Sequence, residues 1–178
     1  FLSSMDQPAE VSVLEQGPLF VKVAVKGKIG KYSFTQTIRL TQGEPRIDMS
    51  VKLDWTGNPR IGEPGIEFRA DNPRKAFYDD RYKLLVYLPT QIANQQIYKD
   101  APFDVCESRL ENTFFNRWDS IKHNIILNWV DVASKDNSCG LSLFTDHTTS
   151  YAHGKDFPLA LNVQYAGKGL WGRDYIID

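Results

Sequence analysis

Cysteine is scarce in this chain: two occur in 178 residues, and they are Cys106 and Cys139. Their isolated positions give no paired spacing of the kind that a disulfide framework or a cysteine zinc site requires. The two could form one bridge, but two unconnected buried thiols are the favoured interpretation, because free cysteine packs as a small apolar residue.

An excess of charge of either sign is also missing. The chain contains 21 Lys and Arg against 22 Asp and Glu, and its formal net charge is -1. The basic residues are scattered singly, whereas a nucleic-acid partner requires a basic patch or stripe. No run approaches the roughly 18 apolar residues of a membrane span. The sequence therefore predicts neither a nucleic-acid nor a membrane partner.

The sequence shows no helical periodicity; instead, apolar and polar residues alternate. Three consecutive runs alternate apolar with polar residues, over residues 19–26, 32–41 and 46–55. A period of two is typical of strands with one buried and one solvent-facing side. Short turns rich in Gly and Pro separate the runs and favour an antiparallel meander. The chain is therefore predicted to be all-β, an antiparallel β-sandwich, with a closed barrel as the alternative.

The domain organisation predicted from the sequence is simple. Residues 1–10 are polar and contain a proline, which indicates a linker or ragged edge, and residues 11–178 are expected to form a single β-sandwich domain. The chain opens on Phe1 rather than Met, so we expect a piece excised from a larger protein. Residues 56–80 concentrate Gly and Pro and predict a long loop or lid. Further strands are expected at residues 82–88, 93–98, 103–106, 159–163 and 175–177.

Residues 112–153 concentrate the residue types that are suited to a ligand. A hairpin is predicted within them, with a long alternating strand over residues 123–130, a turn at 136–140, a return at 141–144 and a loop at 145–150. Trp129 lies inside the alternating strand and is expected in the core.

Sugar contact is the site hypothesis that these residues support. Pyranose rings stack on aromatic side chains, while charged planar groups hydrogen-bond the hydroxyls. Residues of these types on loops and strand ends are the candidate substrate-binding residues: Arg117, Trp118, Asp119, Asp146, His147, Lys168, Trp171 and Arg173. In the alternative interpretation, Trp118 and Trp171 plug the ends of the sandwich.

Several stretches, taken in order, resemble the C-terminal β-domain of glycoside hydrolase family 38, the α-mannosidases. They are FTQTIRL (34–40), PRID (45–48), LDW (53–55), YKLL (82–85), LP (88–89), APFDVCE (101–107), NWVDV (128–132) and GLSLFTD (140–146). Their order and spacing fit the family from about Glu15 onward. Two places depart from the commoner pattern: Cys106 stands where Val is expected, and residues 164–171 replace a Leu-rich run.

The resemblance implies a super-sandwich fold of the galactose mutarotase-like type, and a place in a retaining α-mannosidase. It implies that the nucleophile and the zinc ion of the whole enzyme belong to an N-terminal catalytic domain outside this chain. The expected partners are that catalytic domain and mannose-containing glycans, and the expected role is scaffolding or carbohydrate binding. The alternative is a free-standing carbohydrate-binding or structural β-sandwich module.

The residues themselves identify no catalytic set, metal site or cofactor. Retaining glycoside hydrolysis requires two carboxylates roughly 5–5.5 Å apart, and the acidic residues mostly occupy solvent-facing strand positions. Asp146, His147 and His153 could supply metal ligands, but their spacing matches no compact zinc motif. Solvated carboxylates and singly bonded imidazoles are therefore the favoured interpretation.

Overall fold

Strands make up nearly all of the regular structure. The computed structural model describes residues 2–54, 83–108, 123–154, 157–168 and 174–177. A single 3-10 turn, Ser4–Asp6, precedes the strands β1 Glu10–Gln16, β2 Phe20–Ile29, β3 Tyr32–Thr41, β4 Ile47–Asp54, β5 Lys83–Leu88, β6 Gln95–Ala101, β7 Asp104–Ser108, β8 His123–Ile126, β9 Trp129–Ser134, β10 Gly140–Phe144, β11 Thr149–Gly154, β12 Phe157–Lys168 and β13 Asp174–Ile177. These ranges contain no helix long and apolar enough to cross a membrane.

Contacts divide the chain into two compact units, residues 1–59 and 60–178. The first unit is an antiparallel sheet in the order β1-β2-β3-β4. Its last three strands coincide with the three alternating runs, so that prediction is confirmed. Strand β1 has no counterpart among the predicted strands. The expectation that residues 11–178 form one domain stays a prediction.

The first sheet has one apolar and one polar side. Residues opposite one another across its strands share a side, as Val13, Val23 and Ile38 do. The exposed apolar residues on this side are Val11, Val13, Leu40, Ile47, Met49 and Val51, and we call them the apolar face. They keep 39–67 % of their surface exposed. The opposite side carries mainly Lys, Thr, Ser and Asp, as strand alternation requires.

The segment before β1, expected to be a linker, is attached to the first sheet. Ser3 Oγ accepts a hydrogen bond from the Met5 amide, and Asp6 Oδ2 accepts one from the Ser3 amide at 2.8 Å, which forms a capping box. The Gln7 side-chain amide donates to the carbonyl of Gly30 at 3.1 Å. Gly30 occupies the tight turn between β2 and β3 with a φ of +59°.

The second unit is a sandwich of two antiparallel sheets. The front sheet has the order β10-β9-β6-β7, and the back sheet has the order β13-β12-β11-β8 with β5 also paired to β12. The core between them consists of Ile97, Ile126, Val130, Val132, Tyr151 and Leu159, each at most 1 % exposed. Because both sheets contribute to this cluster, it holds them face to face. The prediction of an all-β antiparallel sandwich is confirmed.

The long strand predicted at residues 123–130 is wrong in one respect. The chain bends at residues 127–128, which we call the corner: β8 pairs with β11 in the back sheet, while β9 pairs with β10 and β6 in the front sheet. The core position predicted for Trp129 is also wrong, because this side chain is half-buried and lies opposite the exposed Phe144. Its neighbour Val130 is the fully buried residue.

The predicted turn at residues 136–140 is confirmed. Asp136 accepts hydrogen bonds from the amide and the hydroxyl of Ser138, and Asn137 adopts a φ of +56°. Hydrogen bonding by the Ser134 hydroxyl, and then by Ser138, lowers the pKa of Asp136 to about 2. Both cysteines are free, and Cys139 in this turn is exposed rather than buried.

Several predicted features lie outside the described residues. They are the loop at residues 56–80 and the candidate residues Arg117, Trp118, Asp119, Trp171 and Arg173. Strand β11 was absent from the predicted set, since residues 149–150 were assigned to a loop.

Candidate functional site

The corner between the two sheets is held by one carboxylate. Asp100, near the end of β6, accepts hydrogen bonds from the amides of Leu127 at 2.9 Å, Asn128 at 2.7 Å and Trp129 at 3.2 Å. The side-chain amide of Asn128 adds a fourth at 3.1 Å. Three successive backbone donors that no strand partner uses are thereby satisfied by one side chain.

The surroundings of Asp100 favour its charged form. Partial burial raises the pKa of this carboxyl, but the four hydrogen bonds from Trp129, Asn128 and Leu127 outweigh it and hold the pKa below its usual value. The adjacent Lys99 extends to the other side of the corner and donates to the carbonyl of Ile125 at 3.1 Å. Burial lowers the pKa of Lys99. Strand β6 therefore holds the corner through two neighbouring residues.

The corner in turn positions the loop between β10 and β11, residues 145–148, which we call the Asp146 loop. The carbonyl of Asn128 accepts the amide of Thr145 at 2.6 Å and its hydroxyl at 3.1 Å. The same hydroxyl lies 2.8 Å from the carbonyl of His147. The loop is thus fixed to Asp100 through a single intervening residue, Asn128.

Asp146 and His147 are the two predicted site residues that the structure brings together. His147 Nδ1 lies 2.5 Å from Asp146 Oδ1, and the two side chains are 54 % and 95 % exposed. The hydrogen bond and the charge of His147 lower the pKa of Asp146. An exposed carboxylate with a lowered pKa is suited to accept hydrogen bonds from a polar ligand. It is not suited to act as a general acid near neutral pH, which needs a raised pKa.

The third histidine lies inside the sandwich. His153 is 7 % exposed, and its Nε2 donates to Gln95 Oε1 at 2.7 Å. Tyr151, on the same strand, donates to Ser108 Oγ at 2.7 Å. Both contacts join β11 of the back sheet to the front sheet, so they align the two sheets. His153 and His147 therefore belong to different environments.

The described residues do not fit a zinc site. A structural zinc ion takes four ligands, and a catalytic one takes three with an open position. No group of three His, Cys, Asp or Glu side chains able to hold a metal ion occurs within the described ranges.

A groove of about 620 Å³ runs along the polar side of the first sheet. It is lined by Lys26 and Lys28, by Glu10 and by Asp54, among others. Neither lysine forms an ion pair with the residues described here, whereas Asp54 lies 3.6 Å from Lys52. Its charges have both signs, so the groove does not select for one class of ligand.

The remaining predicted site residues are only partly placed. The backbone of Lys168 ends β12 and pairs with Asp174 of β13. The residues Arg117, Trp118, Asp119, Trp171 and Arg173 lie outside the described residues. Sequence reasoning did not identify Asp100 or the outward position of Trp129. No local signal marks Asp100, since its partners are 27 to 29 residues away.

Comparison with known proteins gives a family match for most of the chain. The family model described as "Glycosyl hydrolases family 38 C-terminal domain" matches residues 2–162. Searches of curated proteins and of solved structures found no match. The matched segment includes β1 to β11, the corner and the Asp146 loop. The chain therefore belongs to glycosyl hydrolases family 38, as a C-terminal domain of that family.

Proposed function

We propose that this chain is the non-catalytic C-terminal β-domain of a family-38 α-mannosidase, and that it scaffolds the polypeptide that carries the active site. The observation that supports this most strongly is the apolar face of the first sheet. In this proposal the nucleophile and the zinc ion belong to the N-terminal catalytic domain. The reaction of the whole enzyme is the hydrolysis of α-mannosidic bonds.

The apolar face has the composition of a buried surface. Its six exposed side chains come from β1, β3 and β4, and the opposite side of the same sheet is polar. Soluble proteins rarely leave a contiguous apolar patch of several hundred Å² in water, and larger patches mark protein contacts. An antiparallel sheet normally has one side packed on a core and one side solvated. The apolar face thus fits an interface with other polypeptide.

The N-terminal catalytic domain is the occupant that we favour. The family description names a C-terminal domain, so the enzymes of this family have polypeptide beyond it. The apolar face includes no charged side chain, which suits a permanent contact within one enzyme. In the same proposal, Asp146 and His147 contact mannose-containing glycans. The other candidate substrate-binding residues stay predictions: Arg117, Trp118, Asp119, Lys168, Trp171 and Arg173.

A lysine placed on either side of the first sheet tests the scaffold. We compare Val13→Lys, on the apolar face, with Ser33→Lys, an exposed position on the polar side. Both changes are made in the whole enzyme and in the 178-residue chain. The readouts are hydrolysis of an aryl α-mannoside and thermal melting. We expect Val13→Lys to lower the activity and melting temperature of the whole enzyme because a buried charge is costly.

The matched results decide the proposal. Ser33→Lys should leave the whole enzyme unchanged, and the isolated 178-residue chain should melt alike with either lysine. The isolated chain should not turn over the aryl α-mannoside. Full activity of the Val13→Lys whole enzyme would contradict the scaffold. Turnover by the isolated chain that disappears when one of its carboxylates is changed would contradict the non-catalytic role.

A further inference from the structure

The outward side of the front sheet carries aromatic rings beside carboxylates. Trp129 of β9 lies directly opposite Phe144 of β10, and the phenyl group of Phe144 is 71 % exposed. Tyr98 of β6 lies opposite Asp131 on one side and Glu107 on the other. These positions face away from the core, since their neighbours Ile97, Val130 and Val132 are buried between the sheets.

The three rings occupy neighbouring positions on one side of the front sheet. Opposite residues on neighbouring strands have Cβ atoms about 5 Å apart, and diagonal neighbours are about 7 Å apart. Trp129 and Phe144 are an opposite pair, and Tyr98 is the diagonal neighbour of Trp129 on the next strand. Trp129 and Tyr98 are half-buried, so each ring keeps part of its surface open to a ligand. We call these three residues the aromatic strip.

Polar groups beside the strip are available for a ligand. Among the contacts of the described residues, the Trp129 indole N–H, the Tyr98 hydroxyl and the Glu107 carboxylate have no hydrogen-bond partner. Asp131 Oδ1 accepts a hydrogen bond from the hydroxyl of Ser142 at 2.5 Å, and among the described residues no donor bonds its Oδ2. The strip is therefore bordered by both donors and acceptors.

The charge on this side limits the ligand. The outward positions of the four strands, within the described residues, carry no Lys or Arg, which disfavours an anionic ligand. Asp100 is saturated by four N–H donors and Asp131 is half used by Ser142. Glu107 is the one outward carboxylate among the described residues with both oxygens available, and two oxygens are too few to hold a hard metal cation, which takes six or more. A neutral polyhydroxylated ligand fits best.

From this arrangement we propose that the aromatic strip is a binding platform for a neutral oligosaccharide. Two or three pyranose rings stack along Tyr98, Trp129 and Phe144, and their hydroxyls hydrogen-bond Glu107 and Asp131. The Asp146 loop follows Phe144 directly, so it lies at one end of the platform. The choice of a mannose oligosaccharide as the natural ligand rests on the proposed function, whereas the platform itself rests on the geometry alone.

Calorimetric titration of the 178-residue chain tests the platform. The probes are methyl α-mannoside, an α-linked mannotriose and a β-linked glucotriose of equal length. We expect saturable binding of the mannotriose, and weaker binding of the monosaccharide because it covers only one ring. Trp129→Ala and Tyr98→Ala should each weaken trisaccharide binding about tenfold, which corresponds to the loss of about 1.4 kcal/mol. Glu107→Gln should weaken it less.

Phe103 supplies the matched control. Its phenyl group is fully exposed in the turn between β6 and β7, outside the outward strand positions. Phe103→Ala should bind the trisaccharide as the wild type does. Thermal melting of each variant checks the fold, and Glu107→Gln keeps the test decisive if an aromatic variant fails to fold, because this exposed side chain has no contact to lose.

The outcomes separate the platform from the proposed function. The platform would be overturned if the wild type, Trp129→Ala, Tyr98→Ala and Glu107→Gln all bound the trisaccharide equally. It would also be overturned if neither trisaccharide bound at about 10 mM. At that concentration, binding with a free energy of only ~3 kcal/mol is detected. Self-association of the chain that Trp129→Ala abolishes would identify a protein interface instead. Strip-dependent binding of the glucotriose alone would support the platform and contradict the mannose part of the proposed function.

Discussion

Asn128 gives both its backbone amide and its side-chain amide to Asp100 Oδ2, at 2.7 and 3.1 Å. The carbonyl of the same Asn128 receives Thr145 from the Asp146 loop. One residue at the corner thus connects a carboxylate of β6 to the loop that carries Asp146 and His147. The position of the loop depends on Asp100, although about 45 residues of sequence separate the two and Asp100 belongs to strand β6.

Replacing Asp100 with asparagine should destabilise the second unit. The variant keeps the side-chain size but loses the charge that four N–H donors share. We expect a loss of about 1.5–3 kcal/mol in the free energy of unfolding, the range for hydrogen bonds to a charged group. Denaturant titration gives this value. Asp104→Asn is the control, because among the described residues Asp104 accepts a hydrogen bond from the adjacent amide of Val105 alone. It should change stability by less than about 0.5 kcal/mol.

The stabilisation by Asp100 should disappear in acid. Its folded-state pKa lies below the unfolded value of about 4. A lowered folded-state pKa means that the stabilisation is complete above the unfolded pKa and is lost as the pH falls through the folded one. The stability difference between wild type and Asp100→Asn should therefore be constant near pH 6–7, by this linkage, and shrink below about pH 4. A difference that stays constant down to acid unfolding would argue against the role of the charge.

Gly27→Ala should destabilise the first sheet. A Cβ at Gly27 would lie 2.8 Å from Cε1 of Phe34, a ring that is only 8 % exposed. The ring or the strand must shift, which costs about 1–3 kcal/mol. Gly17→Ala is the matched control, since nothing lies within 4 Å of the added methyl group. Equal unfolding midpoints for the two variants would show that Phe34 does not pack on Gly27.

Tyr151→Phe should cost about 1 kcal/mol in unfolding free energy, since it removes the hydrogen bond to Ser108 that joins the two sheets. A double-mutant cycle with Ser108→Ala isolates the pair: the two changes should not add, because either one removes the same contact. Additive losses would mean that the hydroxyls do not interact. Measurement by denaturant titration at pH 7 avoids ionisation of the phenol.

Tyr151 should also make the free energy of unfolding fall at alkaline pH. Burial raises the pKa of Tyr151 to about 12. A folded-state pKa above the unfolded value of about 10 keeps the phenol neutral in the folded chain while the unfolded chain ionises. Its contribution is therefore complete below pH ~10 and is lost as the pH rises towards the folded value. As the pH rises from about 10 to about 12, the free energy of unfolding should fall less for Tyr151→Phe than for the wild type. Equal falls would contradict the raised pKa of Tyr151.

The first sheet could be predicted from local pattern, whereas the corner could not. Apolar and polar residues alternate along β2, β3 and β4, and the turns between these strands contain glycine or proline. At residues 127–128 the alternation also continues, and neither glycine nor proline marks the bend. The bend depends on Asp100, and a hydrogen bond across 27 residues leaves no periodic signal. The expected core position of Trp129 failed for the same reason, because its strand was assigned to the wrong sheet.

The candidate site was predicted in part. Asp146 and His147 are adjacent in sequence, so their contact follows from residue type and a short loop. The aromatic strip requires the register of three strands: Tyr98 and Trp129 become neighbours only once β6 pairs with β9. Residue types alone predicted that the loops contact sugar. The pairing of the strands, by contrast, places the three rings of the aromatic strip on the outward side of the front sheet.

The exposed thiol of Cys139 gives the chain a natural attachment point. It lies in the turn between β9 and β10, at the end of the front sheet opposite to Phe144 and the Asp146 loop. Thiol reactivity follows access, so a maleimide reagent should label Cys139 ahead of the half-buried Cys106. A fluorophore or a surface linker placed there would leave the aromatic strip uncovered. The molecule can therefore be immobilised or tracked in one defined orientation without engineering a new cysteine.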